Sequence, residues 1–600
     1  MKKRFSQALV ALFMLALAVP GLPRFVVAQQ RQSQSPVAGT TREKTAAGTP
    51  ATGRRNTRVR SGANGVAPIV DDFDEALKLV RDNYVDGAKL EYNTVVKSSI
   101  TGMLRSLDPH SNYFDKDEFD ELKTDQRSEY FGIGASIQNY VIGEDADTFI
   151  TATFEGSPAA RANLRFGDRI VAVDGVNMTG KASAEVRDKI RGPRGSVVKI
   201  TIEHAADKVI DTVQITRDAV PQPSIPDYYM LKPGVGYVDM SRGFNYTTTE
   251  ELQGALEDLH AKGMTSLVLD LRNNPGGFLD QAIRVAEMFL PKPQLILTQK
   301  GRNGLRDSKY ESRNPEPQQT PLVILINEYT ASASEIVSGA MQDHDRALIV
   351  GKTSFGKGLV QSIIPLEYGA GLTLTSAKYF TPSGRLIQRD YSNGGFYDYY
   401  THGGSNRLEA KEQKDKPAGQ EKRTDTGRAV YGGGGISPDE DVEPRTTTLF
   451  QRRLYSPMFA FARDLVNGRI AGLDTYRVQK IDFNRALQPS DFIITDAVFN
   501  AFKQYLAAQP VSKETAGAVD RNRSLITLPS GLKFTAAQLD RNRAFIALQL
   551  RFNIVTAAYG RVMADRVFIT TDDPQVNKAV EVLPRARELA MTAMRSHSQQ

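Results

Sequence analysis

Apolar and polar positions change their rhythm three times along this chain, and each rhythm predicts a different kind of structure. Phe73, Leu77, Val80 and Tyr84 recur at spacings of four, three and four, which marks one apolar face of a helix between about Ile69 and Asp125. Between about Glu129 and Asp218 short apolar stretches alternate with glycine turns, which predicts compact β-structure. From 219 to 390, strand-length apolar runs at Ser266–Leu271 and Leu322–Ile326 alternate with helical patterns over Asp280–Leu290 and Glu335–Asp343, and that alternation predicts an α/β core. Beyond about Thr446 the pattern is helical again. Thr495 can cap a helix whose apolar positions are Val498, Phe499, Phe502, Tyr505 and Leu506, and Thr535-Ala-Ala-Gln538 is a capping box that opens a long helix. This last region carries no recognisable chemistry and reads as a packing or assembly element.

A length of 600 residues exceeds what one core supports, so several domains are expected. The N-terminus adds an address. Lys2-Lys-Arg4, the apolar run Ala8–Val19 and the small-residue site Val26-Val-Ala28 form the three parts of a secretory signal peptide, placed at residues 1–28. Export to the periplasm or cell envelope follows, with an uncleaved signal acting as an anchor left open. No later segment reaches the roughly 18 uninterrupted apolar residues of a membrane span. Residues 29–65 offer little to bury and read as a disordered linker, whose arginines leave peripheral membrane association open.

Charge and residue types then exclude several function classes. The net charge is +7, but residues 1–28 hold four cations and no acid, and residues 29–65 hold seven cations against Glu43. The remainder therefore carries −3, which removes the basic face that nucleic acid requires. There is no cysteine, and no two of the six histidines have the short spacing of a zinc motif, so neither disulfide nor metal is expected.

The candidate chemistry lies where the run Pro321–Ile326 meets Asn327-Glu-Tyr-Thr-Ala-Ser-Ala-Ser-Glu-Ile336. The small residues predict a strand-to-helix turn. Such a turn can lift a serine hydroxyl out of the sheet while the first free N–H groups of the helix face whatever it attacks. Serine is also a favoured cap, so Ser332 and Ser334 read equally as N-caps.

Two further stretches decide between these readings. Asp270-Leu-Arg-Asn-Asn-Pro-Gly-Gly277, the serine turn, and Gly351-Lys-Thr-Ser-Phe-Gly-Lys-Gly358 with Gln361, in this order, resemble the C-terminal processing (tail-specific) proteases, serine peptidases with a Ser/Lys pair. The resemblance spans roughly residues 66 to 445. Phe131-Gly-Ile-Gly-Ala135, Gly156–Ile170 and Val173-Asp-Gly175 resemble a PDZ domain, with Asn163 standing where glycine is usual. The implied architecture is an α/β multidomain chain. A crotonase-like ββα protease core (219–445, with a flexible insertion at 390–428) carries an inserted PDZ domain (126–218), an N-terminal helical region (66–125) and a C-terminal helical extension (446–600).

The resemblance implies roles residue by residue. Ser332 is the nucleophile, Lys357 the base and Gln361 the residue that orients the lysine, with Asp343 as a supporting residue or a helix end. To act near neutrality, Lys357 must fall from its ordinary value near 10.4, about 4 kcal/mol of differential solvation. Phe355, Leu359 and Val360, with no acid between 346 and 366, suit a dry pocket. The oxyanion donors are Ala333 and either Gly276 or Gly277. In the PDZ segment, glycines free the N–H groups of Phe131, Gly132, Ile133 and Gly134 to converge on a terminal carboxylate, and Ile133, Ile137 and Ile190 can line a pocket for the last side chain. Arg191 is a candidate coupler of peptide and active site. The substrates implied are proteins or peptides with free, apolar C-termini, and no cofactor is needed. The resemblance also implies that the N-terminal helices flank the core and mediate self-association, and a homo-oligomer or an adaptor is left open.

Four other readings compete with this one. Gly351–Gly358 falls one residue short of a phosphate-binding loop, since Gly358 replaces the Mg²⁺-holding Ser or Thr. His344 is the histidine near the serine in sequence and could complete a Ser-His-Asp triad. His110 could serve as a base, although its proline turn gives it a local task. A non-catalytic peptide-binding scaffold would have lost Ser332, Lys357 or the glycines, and all are present.

Overall fold

The computed structural model describes residues 67–125, 129–142, 146–391, 399–400, 419–508, 525–527 and 533–598. The signal peptide, the linker and most of the expected insertion lie outside the described residues. Contacts divide the chain into a unit ending at Leu107 and a larger unit from Asp108 onward. The first contains the helices Ala67–Asn83 and Tyr92–Arg105. The predicted apolar face is helical, but Phe73, Val80 and Tyr84 remain exposed on it.

In the larger unit, the PDZ-like segment forms a sheet in the order β1 (Ala135–Val141), β2 (Ala146–Thr153), β3 (Arg169–Val173), β4 (Val197–Glu203) and β5 (Ile210–Thr216), with α1 (Ser183–Ile190) packed against it. Asn163 adopts φ 61°, the left-handed conformation its turn needs and asparagine tolerates.

The α/β core is built on a six-stranded sheet in the order β6 (Asp227–Lys232), β7 (Val235–Asp239), β8 (Ser266–Asp270), β9 (Leu322–Ile326), β10 (Ala347–Gly351) and β11 (Glu440–Asp441). All neighbours are parallel except β6 and β7. Leu267, Leu269, Ile324, Ile326 and Ile349 face the helices α2 (Thr248–Ala261), α3 (Leu279–Glu287) and α4 (Ala333–Asp343). Val268, Val323, Leu325, Leu348 and Val350 face the opposite way. Strands buried on both faces lose polar alternation, which is why these runs are continuously apolar. A second sheet, containing Leu295–Gly301, Leu359–Pro365 and Gly371–Phe380, lies beside this one.

The C-terminal region has two tasks. Its helix α5 (Tyr455–Val466) packs on the PDZ-like sheet: the Phe459 ring stacks on Tyr140 at 3.8 Å and meets Phe149 and Phe166 in one cluster. Arg463 Nε donates to Gly167 O at 2.6 Å. Farther on, α6 (Arg543–Tyr559) and α7 (Arg561–Asp572) lead to α8 (Pro574–Ser598), whose Val576, Ala579, Val582, Leu583 and Ala586 cover the second face of the core sheet. Thr495 and Thr535 cap helices as expected, but the helix opened by Thr535 ends at Arg541, and Asn542 breaks it at φ −103°, ψ 14° before α6 begins.

Replacing Phe459 by alanine removes a ring buried between this region and the PDZ-like sheet, at an expected cost of about 3–5 kcal/mol. A lowered unfolding midpoint in urea checks it, and an unchanged midpoint contradicts the packing.

Candidate active site

β9 ends at Ile326, and after six intervening residues α4 begins at Ala333. Between them Ser332 holds φ 56°, ψ −114°, a conformation that costs a non-glycine residue about 1–3 kcal/mol and typifies nucleophiles on strand-to-helix turns. Ser332 sits at the N-cap of α4, and its N–H donates to Glu335 Oε2 at 2.8 Å. It is half-buried, whereas every residue of α4 is buried. Ser334 is fully enclosed and donates its hydroxyl to Asn274 O at 3.2 Å. Of the two serines, only Ser332 presents a hydroxyl that a substrate could meet.

The loop after β8 is stitched to this turn. Asn274 is fully buried, its carbonyl accepts from Ala331 N at 2.9 Å, and its side chain accepts from Gly276 N at 2.9 Å. Thr330 Oγ1 donates to Leu271 O at 2.8 Å, while Asn273 and Asn327 exchange two hydrogen bonds of 2.9 Å. Gly276 has φ 96°, and a Cβ there would stand 2.7 Å from both Ser332 Cβ and Ala331 O. Nothing larger than glycine fits so close to the serine. The Gly276 N–H is already held by Asn274, while the N–H groups of Gly277 and Ala333 have no partner among the described residues.

The lysine loop reaches the serine through one carboxylate. Glu335 is fully buried on α4. Its Oε1 accepts from Ser354 Oγ and from Gly356 N at 2.6 Å, and its Oε2 accepts from Ser332 N and Lys357 N at 2.8 Å each. The amide nitrogens of Ser332 and Lys357 therefore lie within about 6 Å of each other. Burial pushes the Glu335 carboxyl up, and these four donors pull it back. Lys357 is half-buried, and loss of solvent lowers its pKa to about 8, against the pull of Glu335 and Asp108 in the other direction.

The absence of acids near Lys357 in sequence is not an absence in space, because both carboxylates come from elsewhere in the chain. One comes from the Asp108–Ser111 loop, a proline turn that the sequence singles out for His110 while giving Asp108 no role. Asp108 accepts from His110 N, Ser111 N and Ser111 Oγ at 2.7–2.9 Å. Burial, then the charges of Lys357 and Arg389, push the His110 imidazole down to about 2, and its Nε2 lies 2.7 Å from the Tyr399 hydroxyl. His110 thus stands beside the lysine as a neutral, very weak base. The one available signal was the acid in Leu107-Asp-Pro-His110.

The remaining sequence candidates separate cleanly. Gln361 donates to Thr375 Oγ1 at 3.3 Å and makes no hydrogen bond to Lys357. Asp343 is buried against Arg385 and Ser383, a structural task. His344 lies at the other end of α4, about 18 Å along the helix axis from Ser332, with Nδ1 on Asp425 and Nε2 on Leu295 O, both at 2.7 Å. Both ring nitrogens are engaged, so it cannot serve the serine. In the loop 351–358 the N–H groups of 354 to 358 all bond inside the protein, which leaves no cradle for phosphate.

Comparison with known proteins follows this geometry. Residues 234–394 match peptidase family S41, and residues 149–204 match a PDZ domain. A carboxy-terminal-processing protease of Bartonella bacilliformis is 38% identical over 327 residues, covering 53% of this chain and 72% of that protein. The chain belongs to peptidase family S41. It is a serine peptidase with a PDZ domain, of the C-terminal processing type. A carboxyl-terminal-processing protease of Synechocystis is 35% identical over 52% of this chain and 72% of its own length. A solved photosystem II D1 C-terminal processing protease aligns at 28% identity and TM-score 0.34, over 62% of this chain and 92% of that one.

In this S41 peptidase Phe131 and Gly132 do not form an open loop but pair as a strand with Ala219 and Asp218, so the PDZ loop reduces to Ile133 and Gly134 ahead of the edge strand β1. Ala159 N donates to Ile133 O at 2.7 Å and Ser157 Oγ to Gly134 O at 2.9 Å, which fixes the carbonyls. The N–H groups of Ile133 and Gly134 have no partner among the described residues. Ile133 and Ile190 pack in one cluster with Ile137 against it. Arg191 lies 3.8 Å from Glu121.

Removing the Glu335 carboxylate should separate the two halves of the site. Glu335→Ala leaves four donors unmatched, an expected loss of about 3 kcal/mol or more in stability, together with at least about 100-fold in kcat/KM. Unfolding and peptide-cleavage measurements on the same preparation check both, and wild-type cleavage by this variant contradicts the bridging role.

Proposed function

We propose that this S41 peptidase captures the free C-terminal tail of an exported protein on its PDZ loop and cuts it with a Ser332/Lys357 dyad. The observation that carries the reading is the Glu335 carboxylate, which brings the serine turn and the lysine loop together beside a glycine-lined approach. The tail carboxylate docks on the N–H groups of Ile133 and Gly134, and the tail extends along β1, whose outer edge has no neighbouring strand among the described residues. Apolar end residues are preferred, because Ile133, Ile137 and Ile190 surround the loop.

In the chemical step, neutral Lys357 takes the Ser332 hydroxyl proton as Oγ bonds to the scissile carbonyl carbon. The resulting oxyanion is held by the N–H groups of Ala333 and Gly277, since that of Gly276 is committed to Asn274. The protonated lysine then gives its proton to the leaving amine. Water, deprotonated by the same lysine, attacks the acyl-serine and frees the enzyme. Gln361 enters this scheme only if its amide leaves Thr375, and with a tail bound it would support Lys357. The site of action is the periplasm or cell envelope. No helix of the described residues is long and apolar enough to cross a membrane.

Cleavage of a model protein with an unstructured apolar tail tests the scheme. Ser332→Ala and Lys357→Ala should each lose roughly 1,000-fold or more, and C-terminal amidation of the tail should raise KM. Substantial activity in Lys357→Ala would overturn the dyad, and indifference to amidation would overturn carboxylate capture.

The pH profile is an independent check. Only the unprotonated amine accepts the serine proton, so kcat/KM should be low in acid and rise to a plateau with an apparent pKa of about 8. A profile already flat across pH 6 to 9 would exclude a lysine with that pKa as the base.

A further inference from the structure

Behind the loop proposed to hold the oxyanion stands a part of the chain to which the sequence assigns no chemistry. Arg272, the third residue of Asp270–Gly277, has a side chain only 14% exposed. Its Nη2 donates to Asp270 Oδ2 at 2.6 Å and its Nε to both Asp270 oxygens at 3.0 Å. Asp270 in turn accepts from the Tyr237 hydroxyl at 2.6 Å. The remaining nitrogen, Nη1, crosses to the C-terminal region, where it meets Asp573 Oδ2 at 2.8 Å and Gln575 Oε1 at 2.9 Å.

Both acceptors are themselves held. Asp573 Oδ1 accepts from Gln575 N at 3.0 Å and Val576 N at 3.1 Å, capping α8. Gln575 is 1% exposed, and its Nε2 donates to Val442 O at 2.8 Å. A guanidinium is a planar fork whose direction is fixed by its partners, so two anchored acceptors on one nitrogen and a carboxylate on the others leave Arg272 no freedom. The residues that follow it, Asn273 and Asn274, make the hydrogen bonds to Asn327 and Gly276 that set the loop against Ser332.

We infer that Asp573 and Gln575, from the C-terminal helical region, are positioning residues for catalysis: by gripping Arg272 from behind they set the register of Asn273–Gly277 against Ser332. This rests on the reading of that loop as an oxyanion donor. These two residues at the start of α8 then support the active site of this peptidase without touching substrate. Displacement of such a loop by a fraction of an ångström weakens transition-state binding without altering capture of the tail.

The test uses the mature enzyme and a tailed model substrate. Asp573→Ala combined with Gln575→Ala should lower kcat by about tenfold or more while KM stays within about twofold, because the PDZ loop is untouched. Arg272→Ala should cause a similar loss, and adding it to the double variant should cause little more, since all three substitutions break one link. Asp573→Asn, which keeps an acceptor oxygen, should recover much of kcat. Val582→Ala, on the same helix but packed on the sheet away from Arg272, should lower the unfolding midpoint and leave kcat unchanged.

An unchanged kcat in the double variant overturns the inference, as does an equal loss of kcat in Val582→Ala at matched stability, which would mark a purely structural effect. Gly276→Ala separates the two levels. If it abolishes cleavage while the double variant cleaves normally, the loop reading stands and the positioning inference falls; if it cleaves normally, both fall.

Discussion

One buried carboxylate organises the catalytic half of this molecule. Glu335 takes hydrogen bonds from two segments that are 25 residues apart in sequence, through the N–H groups of Ser332 and Lys357 on the same oxygen. A lone carboxylate in such a place would be very unfavourable, and only four convergent donors make it tolerable. The demand is mutual, because the donors of a glycine-rich loop also need an acceptor once they are enclosed. The Gly351–Gly358 loop therefore has the geometry of an anion cradle whose anion is supplied by the protein itself, which explains both its likeness to a phosphate loop and its inability to act as one. The same carboxylate works against neutral Lys357, since its field favours the ammonium form. Desolvation wins, but only down to about 8, so the geometry that brings Ser332 and Lys357 near each other also limits how easily the lysine gives up its proton.

What the sequence made legible is what depends on local period and on motif. Leu322–Ile326 was readable to the residue, because five apolar positions between a proline and a small-residue turn leave no alternative strand. The preference for Ser332 over Ser334 comes from resemblance, and burial is a physical ground for proposing it: Ser334 points into the core and Ser332 does not. The long helix expected from Thr535 was not legible in full, because the capping box fixes a beginning and says nothing about the break at Asn542. The surroundings of Lys357 were illegible for a different reason. Asp108 and Glu335 come from positions 249 and 22 residues away, and a search for acids along the chain cannot find charges that arrive through the fold.

The C-terminal region shows the same limit on a larger scale. Continuous apolar runs in β8, β9 and β10 announce strands covered on both faces, and the helices α2, α3 and α4 that lie before and between them supply one cover. The S41 match ends at residue 394, and among the described residues it is the C-terminal helix α8 that packs on Val268, Val323, Leu325, Leu348 and Val350. Each such side chain left in water would forgo about 1.5–3 kcal/mol. The sheet that carries the serine thus depends for its second face on α8, more than 300 residues beyond β8. At its other end the same region grips the PDZ sheet through Phe459 and Arg463. A region with no chemistry of its own is consequently attached to both places where this peptidase must hold a substrate. Any movement of the PDZ domain relative to the core must either carry α5 with it or break the Tyr140–Phe459 stack, so freedom of the PDZ domain in this chain is set by the C-terminal helices and not by its connections to the core alone.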